Sequence, residues 1–181
     1  MVLDMQRVTP ADFDRFIRKP ENRSHNFELI AGEIIEKMVS SPRSSTIGAL
    51  VGGFMTVHVR QNGLGRVTGA DGGYMVNGER YIPDAAFISK SRQSTTPTDA
   101  YNPHAPDLAV ELSSRIKEQT RIKVAHYLSV GTLTWVINPD KQRVEVYKSG
   151  QPPIILTGDE ILDGGDVLPG FSLVVSTLFA E

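Results

Sequence analysis

Residues 106–138 contain the pattern that most restricts how this chain folds. An apolar run, PDLAVELSS, is followed by a helical segment at about 117–130 and, after Gly131, by a second apolar run, TLTWVINP. A strand, a helix and a second strand in this order form a right-handed crossover between parallel strands. The pattern therefore predicts a sheet that contains a parallel pair.

The other segments predict mostly antiparallel strands and two more helices. A helix is expected at about 10–18, with Thr9 as its N-cap, and a longer one at about 42–61, opened by Ser40 or Ser41 before a proline. Turns at Ala31-Gly32 and Asn77-Gly78 are typical of hairpins. Strands are predicted at about 26–39, 65–69, 73–77, 80–89, 143–148, 153–157 and 172–175, with a loop at 90–105. The fold class is α+β or mixed α/β, with a mixed central sheet flanked by helices.

Composition limits the class of protein. A chain of 181 residues predicts a single domain, 1–181. The chain has no cysteine, which excludes disulfides and thiolate metal sites and favours a cytoplasmic location. No apolar run approaches the roughly 20 residues that cross a bilayer, so no membrane association is expected. A net charge of -2 argues against a surface that is basic throughout, but it leaves room for a local nucleic-acid-binding patch.

Glu111 is an unusual residue within the run Leu108–Leu112. Strand alternation puts it on one face with Asp107, Ala109 and Ser113. An ionised carboxylate that is buried without a partner costs several kcal/mol. Glu111 therefore either lies exposed on an edge strand or, in a central strand, requires a cation, a metal or a proton. The apolar neighbours favour the central strand.

Asp84 opens another apolar run, YIPDAAFIS. Pro-Asp at a strand entrance is common, because proline interrupts the ladder and aspartate stabilises the turn, so alone it indicates only a turn. If the two strands were neighbours, however, Asp84 and Glu111 would supply oxygen ligands suited to Mg²⁺ or Mn²⁺.

The segment RIKEQTRIK (115–123) is rich in cations and begins the crossover helix. On that helix Gln119, Lys123 and Tyr127 share one stripe, so a lysine could reach the carboxylates of the sheet. The alternative is a solvated basic face. The four histidines lack metal-ligand spacing, and no nucleophile elbow, P-loop or dinucleotide fingerprint is present.

With these segments in this order, the chain resembles the Uma-type restriction endonuclease family of the PD-(D/E)XK nuclease-like superfamily. The matching pieces are FELIAGEIIEKM, YIPDAAFI, PDLAVELSS, KVAHYLSVGT, TWVINPD and GGDVLPGFSL. The resemblance implies a restriction-endonuclease-like core and a metal-dependent phosphodiesterase site. It implies that Asp84 and Glu111 are the catalytic acids and metal ligands. Ser113 stands at the usual lysine position, and the resemblance implies that Lys123 replaces that lysine. Glu33 matches a further acidic position of the family, and the resemblance implies that it completes the site.

Three departures accompany the resemblance. Ser45 and Thr46 occupy the neighbourhood of a usual histidine. The segment SSRIKEQTRIK is about two residues short, with Gln119 at an aspartate position, and the segment GTLTWVINP is one residue short. The leading hypothesis is a DNA endonuclease that depends on Mg²⁺ or Mn²⁺ and is a homodimer by analogy. DNA would meet a basic rim formed by Arg115, Lys117, Arg121, Lys90 and Arg92. The alternatives are a catalytically degenerate module that binds nucleic acid or protein, and an enzyme acting on a small phosphorylated compound.

Overall fold

The computed structural model describes residues 7–114 and 118–180, which contain three α-helices and thirteen β-strands. The helices are α1 (Pro10–Ile17), α2 (Pro42–Asn62) and α3 (Glu118–Ser129). The strands are β1 (Phe27–Ile30), β2 (Glu33–Glu36), β3 (Gly65–Thr68), β4 (Gly73–Val76), β5 (Glu79–Tyr81), β6 (Ala85–Ser89), β7 (Tyr101–Asn102), β8 (Leu108–Leu112), β9 (Leu133–Asn138), β10 (Arg143–Tyr147), β11 (Ile154–Thr157), β12 (Ile161–Gly164) and β13 (Leu168–Val174).

Six strands form the central sheet in the order β11-β10-β9-β8-β6-β3. Strands β8 and β9 are parallel, and the other neighbours are antiparallel. The mixed sheet and the predicted parallel pair, connected through α3, are therefore confirmed. Because β8 lies inside the sheet, between β6 and β9, the edge-strand interpretation of Glu111 is wrong.

Five strands form a second sheet, the N-terminal sheet, in the order β2-β1-β5-β4-β7. Both predicted hairpin turns are present, with positive φ at Ala31 and Gly32 (52° and 79°) and at Asn77 and Gly78 (49° and 85°). Positive φ at both central residues is the property of the type I′ turn, which matches strand twist. Side chains of the N-terminal sheet, such as Tyr81, pack in one cluster with side chains of the central sheet.

The segment Ile82–Asp84 carries the chain from one sheet to the other. A continuous strand at 80–89 was predicted, and this is wrong: β5 ends at Tyr81 in the N-terminal sheet and β6 begins at Ala85 in the central sheet. Pro83 has no N–H to donate, so a ladder cannot run through it. The break places Asp84 at the junction of the two sheets.

Helix α2 covers one face of the central sheet. Ser41, one of the two predicted caps, opens it by accepting a hydrogen bond from the Ser44 N–H (3.2 Å), and Gly63 ends it with a φ of 61°. Its buried face packs on Leu108, Val110 and Trp135 together with the hairpin β12–β13. The opposite face of the sheet carries Ala109 and Glu111 beneath α3 and β1, as strand alternation predicts.

Two short strands, β7 and β12, were not predicted. Strand β7 lies within the expected loop 90–105, and β12 pairs with a β13 that begins at Leu168 rather than near residue 172. Their sequences lack a clear alternation, so pairing with neighbours rather than local pattern makes them strands. Within the described ranges, no helix has the length and apolarity that crossing a membrane requires.

Candidate active site

Two carboxylates from different sheets share one buried ammonium. Glu111 lies on β8 and Glu28 on β1, and their side chains are 10% and 9% exposed. The Lys123 Nζ atom, on α3, lies 2.7 Å from Glu111 Oε1 and 2.8 Å from Glu28 Oε1. Lysine supplies three donors and no acceptor, so it suits a position between two carboxylates. The cation that a buried Glu111 requires is therefore Lys123.

Further contacts hold this cluster in one arrangement. The Tyr127 hydroxyl donates to Glu111 Oε1 (3.0 Å), and the Ile82 N–H donates to Glu28 Oε1 (2.7 Å). The Tyr81 ring lies 5.4 Å from Lys123 Nζ, a cation–π distance. Gln119 and Lys123 line one open groove, and Tyr127 contacts Glu111. The three residues therefore lie on the stripe that α3 was predicted to present.

Burial and charge set the protonation of the cluster. Burial raises the pKa of Glu111 to about 7; Lys123 opposes this increase, and the nearby carboxylates of Glu28 and Asp84 add to it. Burial alone would lower the pKa of Lys123, but Glu111 and Glu28 outweigh burial and raise that pKa above its usual value. Lys123 therefore stays charged, and Glu111 titrates near neutral pH.

Asp84 lies opposite Glu111 on the neighbouring strand. The register pairs Ala85 of β6 with Val110 of β8. Asp84, which precedes Ala85, therefore faces Glu111, which follows Val110. The Asp84 N–H donates to the Val110 carbonyl (2.9 Å). Asp84 Oδ2 accepts the Leu112 N–H (2.7 Å). Directly opposed residues have Cα atoms about 4.5–5.5 Å apart. The two acids are therefore neighbours, as the metal hypothesis requires.

A second ammonium binds Asp84. Lys37, the first residue after β2, places Nζ 3.0 Å from Asp84 Oδ1 and 2.7 Å from the Ile82 carbonyl oxygen. The sequence pattern did not identify Lys37 as a site residue, because it follows the exposed end of β2. It reaches Asp84 only because the two sheets meet at this point.

An open groove of about 520 Å³ exposes these groups to solvent. Its lining includes Glu28, Lys37, Asp84, Glu111, Ser113, Gln119 and Lys123. A second cavity of about 330 Å³ shares Ser40, Ser44, Asp84 and Leu112 with it and extends along α2 and β3. Asp84 therefore belongs to the lining of both cavities.

The donor set fits a hard divalent cation. In the described part of the chain, no three histidine, aspartate or glutamate side chains come together as a metal-binding group. Mg²⁺ nevertheless binds commonly through one or two carboxylates, with water and substrate phosphate completing its shell. Asp84 and Glu111 meet that requirement, although each carboxylate also pairs with an ammonium.

Other sequence predictions fare differently. Glu33 is exposed beside the β1–β2 turn and does not line the groove, because the register pairs it with Ile30, two residues beyond Glu28. The expectation that Glu33 completes the site is wrong, and Glu28 is the acid that lies there. Glu28 interrupts the apolar run Phe27–Ile30 just as Glu111 interrupts its own strand, and that signal was available in the sequence.

Two residues of the predicted basic rim lie away from the groove. Lys90 and Arg92 lie beyond the far end of β6, roughly 20 Å along the strand direction from Asp84 at about 3.4 Å per residue. Arg92 pairs with Asp107 (2.7 Å), which also accepts the Ser89 N–H, so Asp107 is structural. Arg121 is exposed on α3. Arg115 and Lys117 lie outside the described residues.

Comparisons with known proteins agree with this architecture. A scan of protein families matches residues 10–176 to the family described as "Uma2: Putative restriction endonuclease". A crystal structure from Anabaena variabilis ATCC 29413, titled as a putative nuclease belonging to DUF820, has the same fold. It superposes with a TM-score of 0.80 at 23% identity, covering 95% of this chain and 97% of that one. A search of curated proteins found no match. Because the family match spans nearly the whole chain, the protein belongs to the Uma2 family of nuclease-like proteins with a restriction-endonuclease-like fold.

Proposed function

We propose that this protein is a divalent-metal-dependent DNA endonuclease. The observation that carries the proposal is that Asp84, directly before β6, and Glu111, on the neighbouring strand β8, both line an open groove, with the Lys123 ammonium beside Glu111. Two adjacent carboxylates and a fixed cation form a constellation suited to phosphodiester hydrolysis. The family match supports a nuclease activity, and the groove is where that activity would reside.

Each residue of the cluster has a separate role in the proposal. Asp84 and Glu111 would hold Mg²⁺ or Mn²⁺, which when bound polarises a phosphate and lowers the pKa of a water. Lys123 contributes a permanent positive charge next to the reacting phosphate, where negative charge develops. Glu28 and Tyr127 are positioning residues: Glu28 fixes the lysine and Tyr127 fixes the Glu111 carboxylate.

The shape of the site favours a polymer over a small phosphorylated compound. Asp84 lines both the groove and the second cavity, so a chain bound at the acids would have space on both sides. A site for a small metabolite would enclose most of its ligand. DNA as the polymer, a homodimer and a cytoplasmic location remain predictions.

Cleavage of plasmid DNA tests the proposal. Purified protein with Mg²⁺ or Mn²⁺ should nick supercoiled plasmid, and Glu111→Gln should abolish nicking. Glu145→Gln is a matched control, because Glu145 is equally buried in the same sheet and is held by Arg143 (2.5 Å) and a tyrosine hydroxyl (2.6 Å), but lies outside the groove. This control should retain cleavage. Absence of cleavage of supercoiled, linear and single-stranded DNA with both metals would refute the proposal.

A second candidate is a degenerate nuclease fold that only binds a partner. Its support is the pairing of both acids with ammonium groups, together with Ser113 and Gln119 at positions where the resemblance expects lysine and aspartate. Calorimetric titration with Mn²⁺ separates the two functions. Binding that Glu111→Gln removes supports the enzyme, and absence of binding supports the degenerate module.

A further inference from the structure

Lys37 connects the two sheets through a single ammonium group. Its backbone N–H donates to the Asn26 carbonyl (2.8 Å), which extends the β1–β2 ladder by one residue. Its Nζ atom donates to Asp84 Oδ1 (3.0 Å), to the Ile82 carbonyl (2.7 Å) and to the Ala70 carbonyl (3.3 Å). These three acceptors account for the three donors of a lysine ammonium.

Asp84 depends on this ammonium for neutralisation. Its side chain is only 14% exposed, and burying a carboxylate this far requires a compensating charge or proton. Within the described ranges, Lys37 is the cation that pairs with it. The other oxygen, Oδ2, accepts the Leu112 N–H, so the two oxygens of Asp84 have different partners.

The two lysines of the groove differ in how firmly they are held. Lys123 is 6% exposed, contacts two carboxylates and lies against the Tyr81 ring. Lys37 is 19% exposed, pairs with one carboxylate, and lines the open groove on a flexible four-carbon stem. Lys37 is therefore the ammonium that can move while the rest of the cluster stays fixed.

A cation bound at Asp84 would meet Lys37 as a competitor. Like charges a few ångströms apart repel strongly at the effective dielectric of a partly buried site. The ammonium and a divalent ion would both bind Asp84 Oδ1. The carbonyl oxygens of Ala70 and Ile82 carry no net charge, so they neutralise neither cation. Binding of the ion thus favours departure of the lysine into the groove.

We propose that Lys37 is a displaceable counter-ion of Asp84, which holds the carboxylate in place in the absence of metal, leaves it when a divalent cation binds, and then contacts a substrate phosphate with its freed ammonium. This inference rests on the proposed function and adds an exchange of cations to it. No bond is made or broken in the exchange: one cation replaces another at a carboxylate, and the released ammonium pairs with an anionic phosphate.

Metal affinity measured without DNA tests the displacement. Mn²⁺ is titrated calorimetrically into the wild type, Lys37→Met, Lys37→Arg and Lys148→Met. Lys37→Met should bind Mn²⁺ on the order of tenfold more tightly, because the competitor is gone. Lys37→Arg keeps the charge and should bind within about threefold of the wild type. Lys148→Met removes an exposed charge after β10 and should bind like the wild type. Lys37→Gln serves if Lys37→Met does not fold.

The outcomes separate this inference from the proposed function. The displacement is overturned if the wild type binds Mn²⁺ and both Lys37→Met and Lys37→Gln bind it equally well or more weakly. The proposed metal site is not contradicted by that result. Absence of Mn²⁺ binding in the wild type and in both charge-removing variants overturns both. Binding that appears only when Lys37 is neutralised also overturns the displacement, because the ammonium then blocks the metal in the wild type and does not give way to it.

Salt dependence of DNA binding tests the second half of the exchange. With Ca²⁺ present, log Kd is measured against log salt for the wild type and Lys37→Met. Each phosphate contact contributes about 0.9 to the slope on duplex DNA, so the wild type should have a slope steeper by about 0.9. Equal slopes overturn the phosphate contact. If neither protein binds DNA, the proposed substrate is wrong and the phosphate contact with it, whereas the Mn²⁺ comparison still decides the displacement.

Discussion

Replacing Lys123 by methionine should destabilise the fold strongly and in a pH-dependent manner. Methionine preserves most of the side-chain volume but removes the positive charge that Glu28 and Glu111 share. The two glutamate side chains are no more than 10% exposed, so solvent cannot replace that charge. Removing one partner of a buried ion pair costs about 3–5 kcal/mol, because the other charge is left uncompensated. For a chain of this length, that corresponds to a decrease in Tm of roughly 6–20 °C.

The pH dependence follows from the raised pKa of Glu111. Burial in the folded protein raises this pKa above its ordinary value, to about 7, so folding favours the protonated carboxyl. The stability that the group contributes is complete below its unfolded-state pKa and falls as the pH rises toward 7. Without Lys123, which opposes the increase, the fall should be steeper. The loss in Lys123→Met should therefore be smaller at pH 5 than at pH 8 by about 1 kcal/mol and by at most about 1.4 kcal/mol, because Glu111 of the wild type ionises over only about one pH unit below pH 8 and one pKa unit is worth about 1.4 kcal/mol.

Urea denaturation followed by tryptophan fluorescence measures this effect. The chain has a single tryptophan, Trp135, which is fully buried on β9 next to the Glu111 strand. The double variant Lys123→Met with Glu111→Gln should regain part of the lost unfolding free energy at pH 8, because one of the two uncompensated buried carboxylates is removed. An equal loss at both pH values, or a loss under about 1 kcal/mol at pH 8, would refute the argument that Lys123 neutralises the cluster.

Two further variants test local contacts by the same denaturation assay. Tyr127→Phe should lower the free energy of unfolding by about 1 kcal/mol, because the hydrogen bond to Glu111 Oε1 is lost; no change would mean that this bond is not made. Gly53→Ala should stabilise by about 0.5–1 kcal/mol, because it lies inside α2 with open space around its Cβ. Gly73→Ala should destabilise by more than about 1 kcal/mol, since its Cβ would lie 2.6 Å from the Tyr101 ring, and a neutral result would contradict that packing.

Glu28 illustrates how far a sequence signal reaches. A glutamate inside an apolar strand occurs three times in this chain, at Glu28, Glu111 and Glu145, and all three side chains are buried. Glu145 is held by Arg143 and Tyr147, which lie on its own strand, and it does not line the groove. The signal therefore identifies a carboxylate that needs a partner, but it does not tell a structural carboxylate from one in the site.

Asp84 shows a similar division. Its Pro-Asp sequence predicts an interruption, and the structure has that interruption at Pro83. The sequence did not reveal that the interruption is a change of sheet, because the sheet that a strand joins is decided by its long-range partners. That change brings Asp84 near Lys37, 47 residues away, and it sets Asp84 opposite Glu111.

The sequence by itself determined the features that depend on residues a few positions apart. The turns at Ala31-Gly32 and Asn77-Gly78, the N-cap Ser41, the alternation of β8 and the parallel crossover all follow from local backbone preferences and side-chain periodicity. The resemblance already named Asp84, Glu111 and Lys123, but only the tertiary structure brought Glu28 and Lys37 to them. Lys123 meets Glu28 across 95 residues, because the N-terminal sheet folds over the face of the central sheet that carries Glu111. Contacts between distant segments are set by how whole sheets pack, and a pattern within one strand does not encode that packing.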